Sequence, residues 1–343
     1  MNVWLAVLLS IVVGFVVSWG LGFAVVPWLH KLKFGQSILD IGPSWHKKKQ
    51  GTPTMGGILF IVGFVASLII VLVTDKLLGG NILLYNNDRA SDVVYIKIFS
   101  GILMSAGFGF IGFMDDYIKV VKKRNLGLTE LQKTALQLLV IIAYLFTLYK
   151  SGVNYMFIPY YGMLENTALF WIVGVIGIYC TVNAVNFTDG VDGLCTSVTS
   201  VACIAFAVVA VLLNYMGVSI LCCALFGSLI GFLVWNWNPS KVIMGDLGSL
   251  FLGGLICTFA FSVDAPWLII LIGVIYVAEF GSDILQIAYV KTHNGKRLFK
   301  MAPIHHHYEM CGWNEKKISK VFSLVTLIGS VAAIALIWFG RVQ

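Results

Sequence analysis

Charge is what this chain has least of. Asp, Glu, Lys and Arg make up 11% of its 343 residues and hydrophobic residues 59%, where an ordinary soluble domain carries about 25% charge. With a mean hydropathy of +0.91, that scarcity excludes a soluble globular protein. The alternation of apolar and polar residues that marks a membrane barrel is missing as well, so helices are the viable spanning structure. No basic segment leads into the first apolar run. Only Met1 and Asn2 precede it, and it passes Pro27 into a basic loop, which argues against a cleaved signal peptide. The seven cysteines contain no CxxC pair and fall mostly in apolar runs, where they are expected as small buried hydrophobes and not as disulfides or zinc ligands. HExxH and GxxxxGK[ST] are absent, which excludes zinc-protease and ordinary P-loop chemistry. No repeat unit or low-complexity linker occurs, so residues 1–343 are expected to form one polytopic domain.

What is present is a series of apolar runs. About ten are long enough to cross a hydrocarbon layer of roughly 30 Å as helices, near 3–26, 55–74, 94–113, 134–150, 168–187, 195–213, 219–236, 248–263, 266–290 and 318–340. The expected fold is therefore an all-α integral membrane protein. With the N-terminus outside, 18 of the 23 Lys and Arg residues fall on the inner loops and five outside, which sets the orientation by the positive-inside rule. Both termini are then extracytoplasmic. The net charge of +7 is mainly this topological signal, and no nucleic-acid partner is expected.

The polar segments with unusual chemistry all fall on the cytoplasmic face. In "FIGFMDDYIKV" (110–120) an apolar run ends in Asp115 and Asp116 with Lys119 behind them. Spacings of three and four bring Lys119 within reach of both carboxylates on a helix. Two adjacent acids are odd as a plain helix cap, and a cation would relieve their repulsion. "NAVNFTDGVDGL" (183–194) offers Asn183, Asn186, Asp189 and Asp192, the last three on one face if the helix continues, with glycines that allow a ligand close to the backbone. It lacks the ligand ladder of a calcium loop. "MGDLGSL" sets Asp246 before a span, where a helix cap is the plain reading and a third carboxylate for a hard cation the sharper one. "PIHHHYE" carries His305, His306 and His307. Successive side chains on a helix diverge, so phosphate binding or proton movement suits them better than one shared metal. "KKKQGTPTMGG" combines Lys49, Thr52 and Thr54 with glycines, an anion-friendly composition. A transporter would place its ionisable groups near the bilayer midplane; here they gather at one surface. Carboxylates for Mg2+, cations and imidazoles for phosphate, and Asn and Asp for a polar ligand are the parts of phosphoryl transfer.

With these strings in place, the chain resembles the bacterial phospho-N-acetylmuramoyl-pentapeptide transferases, within the polyprenyl-phosphate N-acetylhexosamine-1-phosphate transferases. "GTPTMGG" and "MAPIHHHYE" are the specific strings; "DDYIK", "NFTDGVDGL" and "MGDLGS" are shared more widely. The resemblance implies ten spans and transfer of phospho-MurNAc-pentapeptide from UDP-MurNAc-pentapeptide to undecaprenyl phosphate. Mg2+ assists, the products are lipid I and UMP, and the setting is peptidoglycan synthesis at the bacterial plasma membrane. It implies catalytic roles for Asp115, Asp116, Asp246 and His305, with Asp246 and Asp116 at the metal. Lys49, Thr54, Lys119, Lys133, Asn183, Asn186, Asp189, Gly190, Val191, Asp192, Asn236, His306 and His307 would bind substrate, with Asp192 on the uracil side and Gly190 and Val191 bordering the uridine. A homodimer is implied too. The sibling reading is transfer of GlcNAc-1-phosphate, against which "PTMGG" and "HHHYE" argue. Two positions depart from the family pattern. Ile243 stands where Phe is common and can stack on uracil, and Asp283 stands where an uncharged residue is usual.

Overall fold

In hydrocarbon every backbone N–H and C=O must find its partner within the protein, and the apolar runs answer as helices. The computed structural model describes residues 1–32, 51–85, 91–121 and 127–340. Lys49 lies outside them. In chain order the helices are α1 (Val3–Lys31), α2 (Ile58–Leu77), α3 (Ser91–Val121), α4 (Glu130–Lys150), α5 (Thr167–Thr188), α6 (Leu194–Leu212), α7 (Met216–Asn236), α8 (Gly245–Ser262), α9 (Leu268–Ile272), α10 (Val274–Thr292), α11 (Ile304–Met310) and α12 (Glu315–Gly340). Among the described residues, α1 to α8 and α12, nine helices, are long and apolar enough to cross a membrane. The protein is an all-α, multi-pass membrane protein.

Two local differences from expectation have physical causes. Residues 266–290, expected as one span, form α9 and α10, which break at Gly273. The backbone at Gly273, with φ of −94° and ψ of 27°, leaves helical values although its N–H still donates to the Ile269 carbonyl at 2.8 Å, and Glu279, Asp283 and Gln286 dilute the apolar face of α10. Between α4 and α5 a small antiparallel hairpin forms, β1 (Tyr155–Ile158) with β2 (Gly162–Glu165), Tyr155 opposite Glu165. Its Phe157 carbonyl accepts the Trp267 indole N–H at 2.7 Å, which ties the hairpin to the turn before α9.

Helix α8 is the buried axis of the bundle, and its largest contact is with α3. Between membrane helices burial from water contributes little, so close approach and hydrogen bonds decide packing. The α3–α8 seam supplies both. Thr258 Oγ donates to the Gly101 carbonyl at 2.9 Å, and the Ser105 and Thr258 hydroxyls lie 3.2 Å apart. At the far end of this seam Gly112 meets the α8 backbone: a Cβ there would lie 2.1 Å from the Asp246 carbonyl oxygen. That contact sets the end of α3, with its two carboxylates, against the first turn of α8.

The opposite end of α3 is closed by a buried charge pair. Lys97 binds Asp264, whose other oxygen accepts from the Tyr215 hydroxyl, and Lys97 and Asp264 are each at most 2% exposed. The sequence reading counted Lys97 as an outer-loop charge; it is an interior strut between α3, the start of α7 and the turn after α8. At 1.5 Å per residue it stands about 28 Å from Asp116, so the two charged sites mark opposite ends of the bundle.

Candidate active site

Asp115, Asp116 and Asp246 come together although 130 residues of chain separate the last two. One carboxylate oxygen from each lies within 4.8 Å of the others, with Asp115 and Asp116 buried and Asp246 partly open. Each acid is held differently. Asp115 Oδ1 accepts the Leu128 N–H at 2.8 Å, and its Oδ2 pairs with Lys119 at 2.5 Å. Asp116 Oδ2 accepts the Leu247 N–H at 3.1 Å, one of the free donors in the first turn of α8, where a negative group is favoured. Asp246 does not cap its own helix. Its Oδ2 takes Lys119 at 3.2 Å and Lys133 at 3.1 Å, and its Oδ1 takes the Asn186 amide at 2.9 Å. Lys133 is aimed there by the start of α4, where Thr129 and Gln132 form a reciprocal capping box. Asn186 also donates to the Ser249 hydroxyl at 2.7 Å, a partner that the sequence reading missed because Ser249 carries no charge.

The "PTMGG" string is a strap on this cluster. The Ile243 N–H donates to the Pro53 carbonyl at 2.8 Å, and Gly56 and Gly57 N–H donate to the Ile243 and Met244 carbonyls at 2.9 Å each. The loop that delivers Asp246 is therefore paired, backbone to backbone, with the entrance of α2. Gly245 completes the join. Its φ of 74° is left-handed, and a Cβ there would lie 2.5 Å from both Asp116 Oδ2 and Thr54 Oγ. Thr54 is thus beside Asp116, on the edge of the carboxylate cluster.

The remaining expected residues divide. Helix α5 stops at Thr188, so Asn186, Asp189 and Asp192 do not share a continued helix face. Asp189 turns toward the cluster. Removal from water, with Asp246 and Asp116 nearby, pushes its carboxyl well above the ordinary carboxylate range, and a backbone hydrogen bond at Gly245 works the other way. Asp192 turns away: it accepts from the Ser240 N–H at 3.0 Å, the Ser240 hydroxyl at 2.9 Å and the Asn238 amide at 3.1 Å. Val191, in the same turn, is buried. Asn236 braces the same loop, accepting from the Thr196 hydroxyl and donating to the Val242 carbonyl. Asn183 pairs with Gln137, at 3.0 Å, and not with the carboxylates.

The three histidines diverge, as successive side chains on a helix must. His305 Nδ1 lies 2.9 Å from Glu279 Oε2 and its ring packs on Gly190; His306 Nδ1 lies 2.6 Å from Glu309; His307 Nδ1 accepts the Lys300 N–H at 3.1 Å. The polarity of α10 divides in the same way. Glu279 serves His305, Gln286 holds residues 298–299 through three backbone hydrogen bonds, and no partner of the Asp283 carboxylate occurs among the described residues. The Ile243 backbone belongs to the strap, and an aliphatic side chain there offers no aromatic face for a base.

Three convergent carboxylates with only oxygen donors suit a hard divalent cation such as Mg2+. The cluster holds more carboxylates than the ammonium groups of Lys119 and Lys133 offset, so it fits a cation of that class and also brings two ammonium groups to bear on a phosphate.

Comparison with known proteins gives the family of the chain. The model of glycosyl transferase family 4 matches residues 98–264, and the phospho-N-acetylmuramoyl-pentapeptide-transferase signature 1 matches residues 49–61, which include the strap. The chain is 42% identical to the phospho-N-acetylmuramoyl-pentapeptide-transferase of Bacillus mycoides strain KBAB4 over 325 residues, 94% of this chain and 95% of that one. The same identity and coverage hold for the transferases so named from Bacillus thuringiensis strain Al Hakam and Bacillus cereus strain AH187.

Proposed function

The chain belongs to the phospho-N-acetylmuramoyl-pentapeptide transferases, membrane enzymes of bacteria, and on that footing we propose that its reaction is lipid I synthesis. UDP-MurNAc-pentapeptide and undecaprenyl phosphate are the substrates, Mg2+ the cofactor, and UMP the second product. The observation that carries the reading is the gathering of Asp115, Asp116 and Asp246 with Lys119 and Lys133 at one end of the bundle. A lipid phosphate at the membrane edge and a soluble nucleotide sugar can meet there. In this reading the site end is cytoplasmic, residues 1–343 work as one domain, and the protein is a homodimer.

An oxygen of the lipid phosphate attacks the sugar-linked phosphorus of the diphosphate. The bond to the bridging oxygen breaks, and UMP leaves with the electron pair. A phosphate monoester has its second pKa near 6, so the attacking group is largely dianionic at neutral pH and needs little general base. Asp115, fixed by Lys119 and the Leu128 N–H, orients that phosphate and takes a residual proton. Asp246 and Asp116 would hold Mg2+, which when bound neutralises charge on the diphosphate. Lys119 and Lys133, beside Asp246, supply positive charge for the phosphate oxygens, where negative charge grows as the bond breaks. Asn186 keeps Asp246 aimed throughout.

Purified protein with UDP-MurNAc-pentapeptide, undecaprenyl phosphate and Mg2+ should release UMP and form a lipid-linked product. EDTA should abolish both, and UDP-GlcNAc should be a far poorer donor. Equal turnover of the two donors would overturn the assigned sugar and peptide specificity. Absence of UMP with either would overturn the reaction.

A further inference from the structure

Against the 189–193 turn, Glu279 of α10 and His305 of α11 are buried together. Their exposures are 0% and 1%. Nδ1 of the ring is 2.9 Å from Glu279 Oε2, yet Glu279 Oε1 and His305 Nε2 have no hydrogen-bond partner among the described residues. A buried polar atom left unpaired costs about 1–3 kcal/mol, and two apolar side chains of similar shape would avoid that cost. Stability alone does not account for this pair.

Its position does. A Cβ at Gly190 would lie 2.1 Å from His305 Nε2, so the imidazole fills the space that any side chain at 190 would need, and Nε2 faces the turn. The neighbouring residue, Asp189, is the one that the turn brings near Asp246 and Asp116. Phe187 and Phe280 stack at 6.0 Å just below and keep α5 and α10 in register at this level. A carboxylate at Nδ1 places the proton of the neutral ring there. Nε2 then meets the glycine without a hydrogen in between, which permits the close contact.

We propose that Glu279 is a positioning residue for the transfer reaction: it fixes the His305 ring against Gly190 and so sets the turn that holds Asp189 beside the carboxylate cluster. The inference rests on the reaction assigned above, and it names a part of the site that none of the sequence strings contains. Glu279 touches neither substrate nor metal; it acts through the ring.

The test is a double-mutant cycle of Glu279→Leu and His305→Gln, with Glu279→Gln as the conservative variant. It is read by kcat and KM for UMP release and by Mn2+ affinity in electron paramagnetic resonance. Outer-shell partners of metal sites typically contribute about 10–100-fold. Glu279→Leu should lower kcat and Mn2+ affinity within that range and leave the KM for lipid phosphate within about threefold. Glu279→Gln, which keeps an acceptor oxygen, should retain most of both. The double variant should be no worse than His305→Gln, since the second change removes nothing that still acts. Nitrogen-15 histidine spectra of the wild type should show one buried ring protonated at Nδ1. Additive losses in the double variant, wild-type values in Glu279→Leu, or an Nε2-protonated buried ring would overturn the proposal. If the wild type releases no UMP, the assigned reaction fails, and the Mn2+ cycle and the spectra still judge the positioning role by themselves.

Discussion

Gly245→Ala isolates what the spacing of the cluster is worth. The residue has φ of 74°, and for an L-residue the left-handed region costs about 1–2 kcal/mol. The new methyl would also lie 2.5 Å from Asp116 Oδ2 and from Thr54 Oγ, and 2.9 Å from the Met55 nitrogen. Contacts become ordinary at 3.4 Å, so the Asp116 carboxylate must recede by about 0.9 Å, the difference between 3.4 and 2.5 Å. That movement strains its bond to the Leu247 N–H. A misplacement of about 1 Å costs roughly 100-fold in rate. Gly79→Ala is the matched control: its φ is 71°, but nothing lies within 4 Å of the added Cβ. Thermal unfolding in detergent should show Gly79→Ala destabilised by about 1–2 kcal/mol and Gly245→Ala by at least as much, while UMP release should fall about 100-fold in Gly245→Ala alone. An equal loss of rate in Gly79→Ala would mean that general destabilisation, and not geometry at the carboxylates, is being read. Wild-type turnover in Gly245→Ala would remove the spacing argument.

Four further outcomes follow from the same contacts. Asp246→Asn keeps the size of the side chain and removes the charge that binds Lys119 and Lys133, so kcat should drop by more than the roughly 100-fold typical of outer-shell partners; bound Mn2+ should vanish from the resonance spectrum. Asp115→Asn should show a deficit that shrinks as pH rises from 6 to 8.5, because the lipid phosphate loses its own proton near pH 6; a deficit constant with pH would refute the proton-taking role. Asn186→Ala should cost about tenfold through a loosened Asp246, while Asn183→Ala, which releases only Gln137, should stay near wild type; the reverse ranking would contradict the hydrogen bonding described. For Asp189 the folded carboxyl holds its proton more tightly than the unfolded one, so its contribution to stability is lost as pH rises from the ordinary carboxylate value through the raised one. In EDTA, Asp189→Asn should unfold at a higher temperature than wild type, with a gap that widens with pH over that window. A gap that narrows would reverse the sign of the effect.

The parts legible in the sequence were those with a local signature. Apolar runs marked the spans because hydrocarbon leaves the backbone no other choice, and the Asp115–Asp116 doublet stood out because two like charges stand side by side where an apolar run ends. The interruption at Gly273 was not legible: one residue leaves helical geometry while its N–H still donates to the Ile269 carbonyl, and nothing in the apolar run marks the position. Lys97 read as a loop charge because its partner Asp264 is 167 residues away. Asp192 and Asp189 looked alike on a continued helix, and only the stop at Thr188 sends one to the carboxylates and the other to Ser240. Of the polar residues of α10, Asp283 stood out in the sequence; the partners of the others, a histidine on α11 for Glu279 and the 298–299 backbone for Gln286, are made by tertiary folding.

The distance along the chain between the acids and their partners also sets a timetable. Asp115 finds Lys119 within its own helix and the Leu128 N–H a few residues later. Asp116 waits for the Leu247 N–H, 131 residues downstream, and at roughly 5–20 residues per second of synthesis that is on the order of ten seconds. The strap at residues 53–57 waits longer still for its pairing edge at Ile243 and Met244. Through that interval the nascent protein sits in the bilayer with several of its spans made and no working site, and a chain that stalls before α8 remains an inert membrane passenger.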